Sequence, residues 1–211
     1  MSDPAELYDA ILTGNAKKAE EITKAALEAK CDAGELLSKY MIPAMDEVGK
    51  RFEANEFFVP ELLIAARAMK TSLELLTPAM AAEGLEAAGR VVIGTVKGDL
   101  HDIGKNLVAS MLEGGGFEVI DLGVDVAPEK FVEAAQQKDG TIVALSALLT
   151  TTMTMMKKVI EALEAAGIRQ STKVMIGGAP ITQQYADEIG ADGFSDNASA
   201  AVAMARQLVE G

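Results

Sequence analysis

The sequence contains few aromatic residues, one cysteine and one histidine. Aromatic residues make up 4% of the 211 positions, and tryptophan is absent. Because Cys31 is alone, no disulfide can form within the chain, and we expect a reducing, cytoplasmic compartment. His101 and Cys31 are too few to complete an ordinary zinc or iron site. These scarcities exclude a disulfide scaffold and a conventional zinc protein.

Basic residues are also scarce. The chain has 19 lysines and arginines against 32 acidic residues, a net charge of −13. Nucleic acid is thereby excluded as a partner, because phosphate binding requires a basic face, and an anionic membrane surface is disfavoured as well. No uncharged apolar run reaches the roughly 18–20 residues of a membrane span. The start of the chain, Met1-Ser2-Asp3-Pro4, has no basic segment followed by an apolar one, so no signal peptide is predicted.

The first part of the sequence is patterned as helices. Residues 1–85 predict a four-helix cap bundle, and the Ala-, Gly- and Glu-rich segment 81–89 is predicted to be a linker. The predicted helices begin after Asp3-Pro4, after Asn15, after Asp32 (with a kink at Pro43) and at Val59-Pro60.

From residue 90 onwards, short apolar runs alternate with helical segments. The runs are residues 91–96, 117–122, 141–145, 173–176 and 191–194. The helices are predicted at residues 103–112, from 128, at 153–166, from 180 and from 197. This alternation is typical of a parallel sheet covered on both faces. Residues 90–211 therefore predict an α/β domain with a flavodoxin-like five-stranded parallel sheet.

Three short strings follow the first, third and fourth predicted strands. They are Asp99-Leu100-His101-Asp102-Ile103-Gly104, Ser146-Ala147-Leu148 and Gly177-Gly178. In an open parallel sheet, ligands bind beyond the carboxyl ends of the strands where the strand order reverses, so the strings converge on one edge. A carboxylate two residues before His101 can accept a hydrogen bond from one imidazole nitrogen and leave the other for a metal. Each string alone also fits a turn or a helix cap.

The three strings have the form D-x-H-x-x-G … S-x-L … G-G, and with them the chain resembles the corrinoid proteins of cobalamin-dependent methyltransferase systems. It is also similar to the cobalamin-binding module of methionine synthase. A second signature comprises residues 42–49, Phe52 and residues 57–61, and it resembles the helical cap over the methyl-bearing face of the cofactor in this family. The resemblance covers essentially the whole chain, and it implies that cobalamin or a related corrinoid is bound.

The resemblance implies a role for each matching residue. His101 would be the lower axial ligand of cobalt, replacing the cofactor's own base, and Asp99 would hold the far ring nitrogen. Thr152 stands where the family often has a serine that completes this relay. Phe52 and Val59 would be the apolar residues over the methyl group. Further cofactor contacts are implied at Gly98, Leu100, Asp102, Ile103, Gly104, Ser146, Leu148, Thr150, Gly177, Gly178 and Ala198.

The function implied by the resemblance is methyl carriage. The cobalt would alternate between cob(I)alamin and methylcob(III)alamin, taking a methyl group within a substrate-specific methyltransferase. It would give that group up within a second methyltransferase, whose acceptor is a compound such as tetrahydrofolate or a thiol. A reductive activase is a further expected partner, and we expect the chain to be inactive alone. Two alternatives are a cobalamin-responsive sensor, which would normally carry a basic DNA-binding module, and the cobalamin-binding subunit of a mutase, which usually lacks a helical cap.

Overall fold

The computed structural model describes residues 5–210, which divide into two compact units. The first unit comprises residues 5–87 with 113–116, and the second comprises residues 88–112 with 117–210. The predicted helix start at Asp3-Pro4 lies outside the described residues. None of the helices within residues 5–210 is both long and apolar enough to cross a membrane.

The first unit is helical. Its elements are α1 (Ala5–Leu12), α2 (Ala16–Glu28), α3 (Ala33–Leu36), a π-helical turn (Leu37–Met41), α4 (Ile42–Glu53) and α5 (Val59–Ala82). Helix α5 contacts each of the other four α-helices. Between α2 and α5, the hydroxyls of Thr23 and Ser72 are fully buried and lie 3.0 Å apart in a hydrogen bond. The predicted helical bundle is confirmed.

The starts of two helices follow from their capping residues, and Pro43 lies at the start of a third. Asn15 accepts a hydrogen bond from the amide of Lys18, and Asp32 accepts one from the amide of Glu35. The helical backbone does not break at Pro43 but passes through it, directly after the π turn. Proline has no N–H and its ring collides with the carbonyl one turn earlier, and the wider π turn provides the room that it needs.

The second unit is an α/β layer structure. Its elements are β1 (Arg90–Thr95), α6 (Ile103–Gly114), β2 (Glu118–Asp121), α7 (Pro128–Ala135), β3 (Thr141–Ser146), α8 (Thr150–Ala165), a 3-10 turn (Arg169–Ser171), β4 (Lys173–Gly177), α9 (Gln183–Ile189), β5 (Gly193–Phe194) and α10 (Ala198–Glu210). The sheet has the order β2-β1-β3-β4-β5 and its strands are parallel. The predicted flavodoxin-like fold is confirmed.

Two helices of this unit begin away from their predicted positions. Helix α8 begins at Thr150 rather than at Met153, because the carbonyl of Leu149 already accepts the amides of Thr152 and Met153. Helix α9 begins after Thr182 rather than at Pro180. The Thr182 hydroxyl accepts the amide of Tyr185 at 3.2 Å, which is the usual action of a helix N-cap.

The register of the sheet places the ends of three strands side by side. Thr95 pairs with Ser146, and Ser146 pairs with Gly177. These are the last residues of β1, β3 and β4. The loops that follow the three strands therefore start from neighbouring points on one edge of the sheet, which is where the three sequence strings lie.

Candidate functional site

The centre of the candidate site is the buried carboxylate of Asp99, in the β1–α6 loop (residues 96–102). Its Oδ1 accepts hydrogen bonds from the ring Nδ1 of His101 at 2.8 Å and from the His101 amide at 3.1 Å. Its Oδ2 accepts the Thr152 hydroxyl at 2.6 Å and the Leu148 amide at 2.8 Å. The side chain is completely shielded from solvent, and these donors replace the water that it has lost.

These donors keep Asp99 ionised. Burial alone would raise the pKa of Asp99, but the hydrogen bonds from Thr152, Leu148 and His101 outweigh it and hold the pKa well below its ordinary range. An ionised carboxylate can only accept hydrogen bonds, so the proton between Asp99 and His101 sits on Nδ1. The other ring nitrogen, Nε2, is then the one with a lone pair to offer a metal.

His101 combines a fixed backbone with an accessible ring. Its carbonyl accepts the hydroxyl of the fully buried Thr95 at 2.8 Å, and its amide is bound to Asp99. The side chain nevertheless remains 51% exposed. A ring that is anchored through Nδ1 and open on its other side is suited to coordinate a metal that arrives from solution.

The glycines near the site divide into two kinds. A Cβ on Gly178 would lie 1.9 Å from the carbonyl oxygen of Ala147, so a close backbone contact already requires glycine there. A Cβ on Gly177 would lie 3.1 Å from the carbonyl oxygen of Ser195, which is a tight contact. Gly98 has a φ of +83° and is required for its backbone conformation. At Gly104, by contrast, no atom lies within 4 Å of a Cβ, and the structure leaves open space beside the start of α6.

Exposed apolar side chains accompany the polar network. They lie on the β1–α6 loop, at the start of α6 and in the loop between β3 and α8, and they are Leu100, Ile103, Leu148 and Leu149. Leu100 is 71% exposed and Ile103 is 82% exposed. Large apolar residues that are exposed together, next to a candidate metal ligand, indicate a surface that an apolar ligand covers.

The remaining candidates of the second unit lie around this network. Ser146 is the half-buried last residue of β3, Thr150 is the exposed first residue of α8, and Ala198 is the buried first residue of α10. Asp102 is exposed, and its Oδ2 accepts the side-chain amide of Asn106 at 3.2 Å. The structure thus joins Asp99, His101, Leu148 and Thr152 directly, and it places Ser146, Thr150 and Ala198 at the ends of their elements.

The two candidates in the helical unit lie near the start of α5. Phe52 is half-buried on α4, and Val59 is the first residue of α5 and is exposed. Val59 belongs to a group that we call the α5 apolar face, whose members are Phe58, Val59, Leu63 and Ile64. All four are at least 40% exposed. A face of this kind is unusual on a helix that is otherwise packed in a bundle.

Sequence reasoning missed Thr95, Asp125 and Leu149. Thr95 fixes the carbonyl of His101, and the amide of Leu149 is a further, longer donor to Asp99 at 3.4 Å. Asp125, after β2, accepts the amide of Gly98 at 2.8 Å and so holds the β1–α6 loop. The position of Thr95 at the end of a strand that bears a site loop was the available signal. No local pattern marked Asp125, because its partners are distant in sequence.

The side chains fit a planar metal cofactor. One imidazole nitrogen is presented, its partner nitrogen is held by a buried carboxylate, apolar side chains surround it, and space is open beside Gly104. A metal with a single protein ligand needs its other ligands from elsewhere, and a macrocycle such as a corrin supplies them within the cofactor.

Known B12-binding families and corrinoid proteins are similar to this chain. Residues 89–203 match a family described as a B12 binding domain, and residues 5–77 match a second family with the same description. Trimethylamine corrinoid protein 1 of Methanosarcina acetivorans is 44% identical over 207 residues, which cover 97% of this chain and 96% of the relative.

Two solved structures are also similar. A cobalamin-binding protein from Desulfitobacterium hafniense has a TM-score of 0.80 and 35% identity, with 99% of both chains covered. The methanol:cobalamin methyltransferase complex of Methanosarcina barkeri matches with a TM-score of 0.84 and 29% identity, covering 97% of this chain and 78% of that one. The chain therefore belongs to the corrinoid proteins of methyltransferase systems, and its cofactor is cobalamin or a related corrinoid.

Proposed function

We propose that this chain is a methyl carrier that binds its corrinoid with His101 as the lower axial ligand of cobalt, in place of the cofactor's own base. The observation that carries the proposal is the pair formed by Asp99 and His101. A fully buried carboxylate binds Nδ1 at 2.8 Å, and the ring is otherwise half exposed. This arrangement fixes the ring orientation and makes Nε2 the better donor.

The chain's own residues would control position and protonation. When bound, the corrinoid supplies the chemistry, because its cobalt accepts a methyl group and later releases it. Asp99 holds the proton on Nδ1 of His101 throughout. When Nε2 is not coordinated, the hydrogen bond from Nδ1 to Asp99 still orients the ring. Thr152 supports the carboxylate in both states by donating to Oδ2 at 2.6 Å.

The cofactor contacts follow from the same arrangement. Leu100, Ile103 and Leu148 offer an apolar surface for the corrin ring, and the open space beside Gly104 leaves room for it at the start of α6. Gly98 and Asp102, in the preceding loop, are further proposed contacts. Ser146, Thr150, Gly177, Gly178 and Ala198 are proposed to line the slot for the nucleotide tail. In the helical unit, Phe52 and Val59 are the proposed contacts to the methyl-bearing face.

The proposed division of labour follows the predicted ranges, with residues 1–85 as the cap and residues 90–211 as the corrinoid-binding domain. The expected partners are a substrate-specific methyltransferase, a second methyltransferase specific for the acceptor, and a reductive activase. The similarity to a solved methyltransferase complex supports the first of these.

A cytoplasmic location suits the free Cys31. Relatives that are themselves methylamine corrinoid proteins favour the carrier over a sensor or a mutase subunit.

The test is electron paramagnetic resonance of the protein loaded with cob(II)alamin, with and without ¹⁵N-histidine. Because His101 is the only histidine, a change of the axial-nitrogen splitting from a triplet to a doublet assigns the ligand without ambiguity. His101→Gln, loaded in the same way, is the control and should lack the histidine signal. A triplet that persists in the labelled protein would mean that the cofactor keeps its own base, and the proposal would be wrong.

A further inference from the structure

The loop after β2 (residues 122–127) runs alongside the loop that carries Asp99 and His101. The amide of Thr95 donates to the carbonyl of Gly123 at 2.9 Å, and the amide of Val126 donates to the carbonyl of Thr95 at 3.0 Å. Val96 and Val126 form an isolated parallel bridge. The pairing between β1 and this chain segment therefore continues beyond the last residue of β2, up to the start of the β1–α6 loop.

Asp125 lies where the two loops meet, and it contacts three consecutive residues of the other loop. Its amide donates to the carbonyl of Asp99 at 2.9 Å. Its Oδ1 accepts the amide of Gly98 at 2.8 Å, and its carboxylate lies 3.3 Å from Nζ of Lys97. Asp125 thus binds the Gly98 amide and the Asp99 carbonyl, which lie on either side of the Gly98–Asp99 peptide bond. Asp99 is the residue that carries the buried carboxylate.

The backbone conformation adds to the evidence. Asp125 has a φ of +54°, in the left-handed region, where aspartate is better tolerated than most residues with a side chain. Gly98 has a φ of +83°. Two left-handed residues therefore face each other across a side chain–backbone hydrogen bond. The ion pair with Lys97 is exposed on both sides, so the backbone hydrogen bonds are the important part of the contact.

We propose that Asp125 is a positioning residue that holds the β1–α6 loop in its ligand-presenting form before the corrinoid arrives. The inference rests on the proposed function, because it assigns Asp125 to the same His101 site. By fixing the Gly98 amide and the Asp99 carbonyl, Asp125 sets the direction in which the Asp99 side chain enters the interior. The Asp99 carboxylate then orients the His101 ring.

The test compares three variants. Asp125→Gly keeps the left-handed backbone and removes the carboxylate, whereas Asp125→Asn keeps one oxygen that can accept the Gly98 amide. Lys30→Gly is the matched control, because Lys30 also has a left-handed φ of +59° and lies at the end of α2, away from the β1–α6 loop in sequence. The readouts are amide hydrogen exchange at Gly98 in the cofactor-free protein, the affinity for cob(II)alamin, and the fraction of bound cob(II)alamin that shows the histidine nitrogen.

In Asp125→Gly we expect Gly98 to exchange about tenfold faster and cob(II)alamin to bind about tenfold more weakly, at the lower end of the usual cost of removing a group that orients a metal ligand. Asp125→Asn should keep the exchange rate at Gly98 and the affinity for cob(II)alamin close to those of the wild type. Lys30→Gly should change neither quantity. Unchanged exchange and affinity in Asp125→Gly would overturn the inference. If the wild-type protein shows no histidine nitrogen, the proposed function fails instead, and the exchange rate at Gly98 still decides whether Asp125 holds the loop.

Discussion

The β1–α6 loop and the α5 apolar face meet their surroundings in opposite ways. The loop buries a charged group, Asp99, and satisfies it with hydrogen bonds from several directions. The α5 apolar face does the reverse and leaves large apolar side chains in contact with water. Directional hydrogen bonds fix a geometry, whereas apolar contact depends on area and tolerates sliding. Hydrogen bonds of this kind can hold one ligand atom in a fixed place, whereas exposed apolar side chains offer a surface for a binding partner without fixing its position.

The largest effect should come from Asp99→Ala. The substitution removes the acceptor of the amides of Leu148 and His101, and unsatisfied donors in such a network are costly. It also leaves the buried Thr152 hydroxyl with only the Leu149 carbonyl, 3.0 Å away, as an acceptor among the described residues. We expect the free energy of unfolding of the cofactor-free protein to fall by about 3 kcal/mol. Urea denaturation measures this. Asp196→Ala is the control, since Asp196 is exposed and its side chain accepts the side-chain amide of its neighbour Asn197. A loss of unfolding free energy below about 1 kcal/mol in Asp99→Ala would mean that the hydrogen-bond network is not formed in the cofactor-free protein.

Acid should weaken the same network. The pKa of Asp99 is lowered in the folded protein from its ordinary value of about 4, so its contribution to stability is fully present above that value. That contribution is lost as the pH falls through the ordinary value towards the folded one. We therefore expect the unfolding free energy to drop below about pH 4. In Asp99→Asn this part of the drop should be absent. Equal acid profiles for the two proteins would show that other carboxylates dominate.

A smaller effect is expected from Thr152→Val, which keeps the shape of the side chain. It removes the hydroxyl that donates to Oδ2 of Asp99 and leaves the Leu148 amide and His101 in place. We expect a loss of about 1 kcal/mol in unfolding free energy and an upward change in the pKa of Asp99. Thr154→Val is the matched control on the same helix, because the Thr154 hydroxyl is exposed and donates only to the Thr151 carbonyl. Equal losses of unfolding free energy in the two variants would mean that the hydrogen bond from Thr152 to Asp99 does not contribute to stability.

The sequence was informative about the site only where local order and strand alternation determine structure. The alternation of apolar runs with helices predicted a parallel, flavodoxin-like sheet, and the strand ends of such a sheet placed the strings that contain Asp99, Ser146 and Gly177 at one edge. The partners Thr95 and Asp125 were not predicted, because nothing in a local pattern reports that residues 98 and 125 will meet. The exposure of Phe58, Leu63 and Ile64 was not predicted either, since an apolar helix side looks the same in sequence whether it is buried in a bundle or left for a ligand.

The smallest expected effect on unfolding free energy comes from a substitution in the α5 apolar face. This substitution should stabilise the protein, whereas the preceding ones should destabilise it. Phe58 is the N-cap of α5, with its amide bound to the Glu61 carboxylate, and its ring cannot accept the hydrogen bond that a capping side chain usually accepts. Phe58→Ser would complete a capping box with Glu61. We expect the unfolding free energy of the cofactor-free protein to rise by about 0.5 kcal/mol, measured by urea denaturation.

A phenylalanine at a position where serine would be more stable implies that the ring serves something other than folding. We therefore expect Phe58→Ser to bind cob(II)alamin less tightly even though it is more stable, because apolar contact area is lost. Phe58→Ala is the control, since it loses the same ring without gaining a cap, and should match Phe58→Ser in affinity but not in stability. If the affinity is unchanged in both variants, Phe58 does not contact the cofactor. The exposed ring would then require a different ligand.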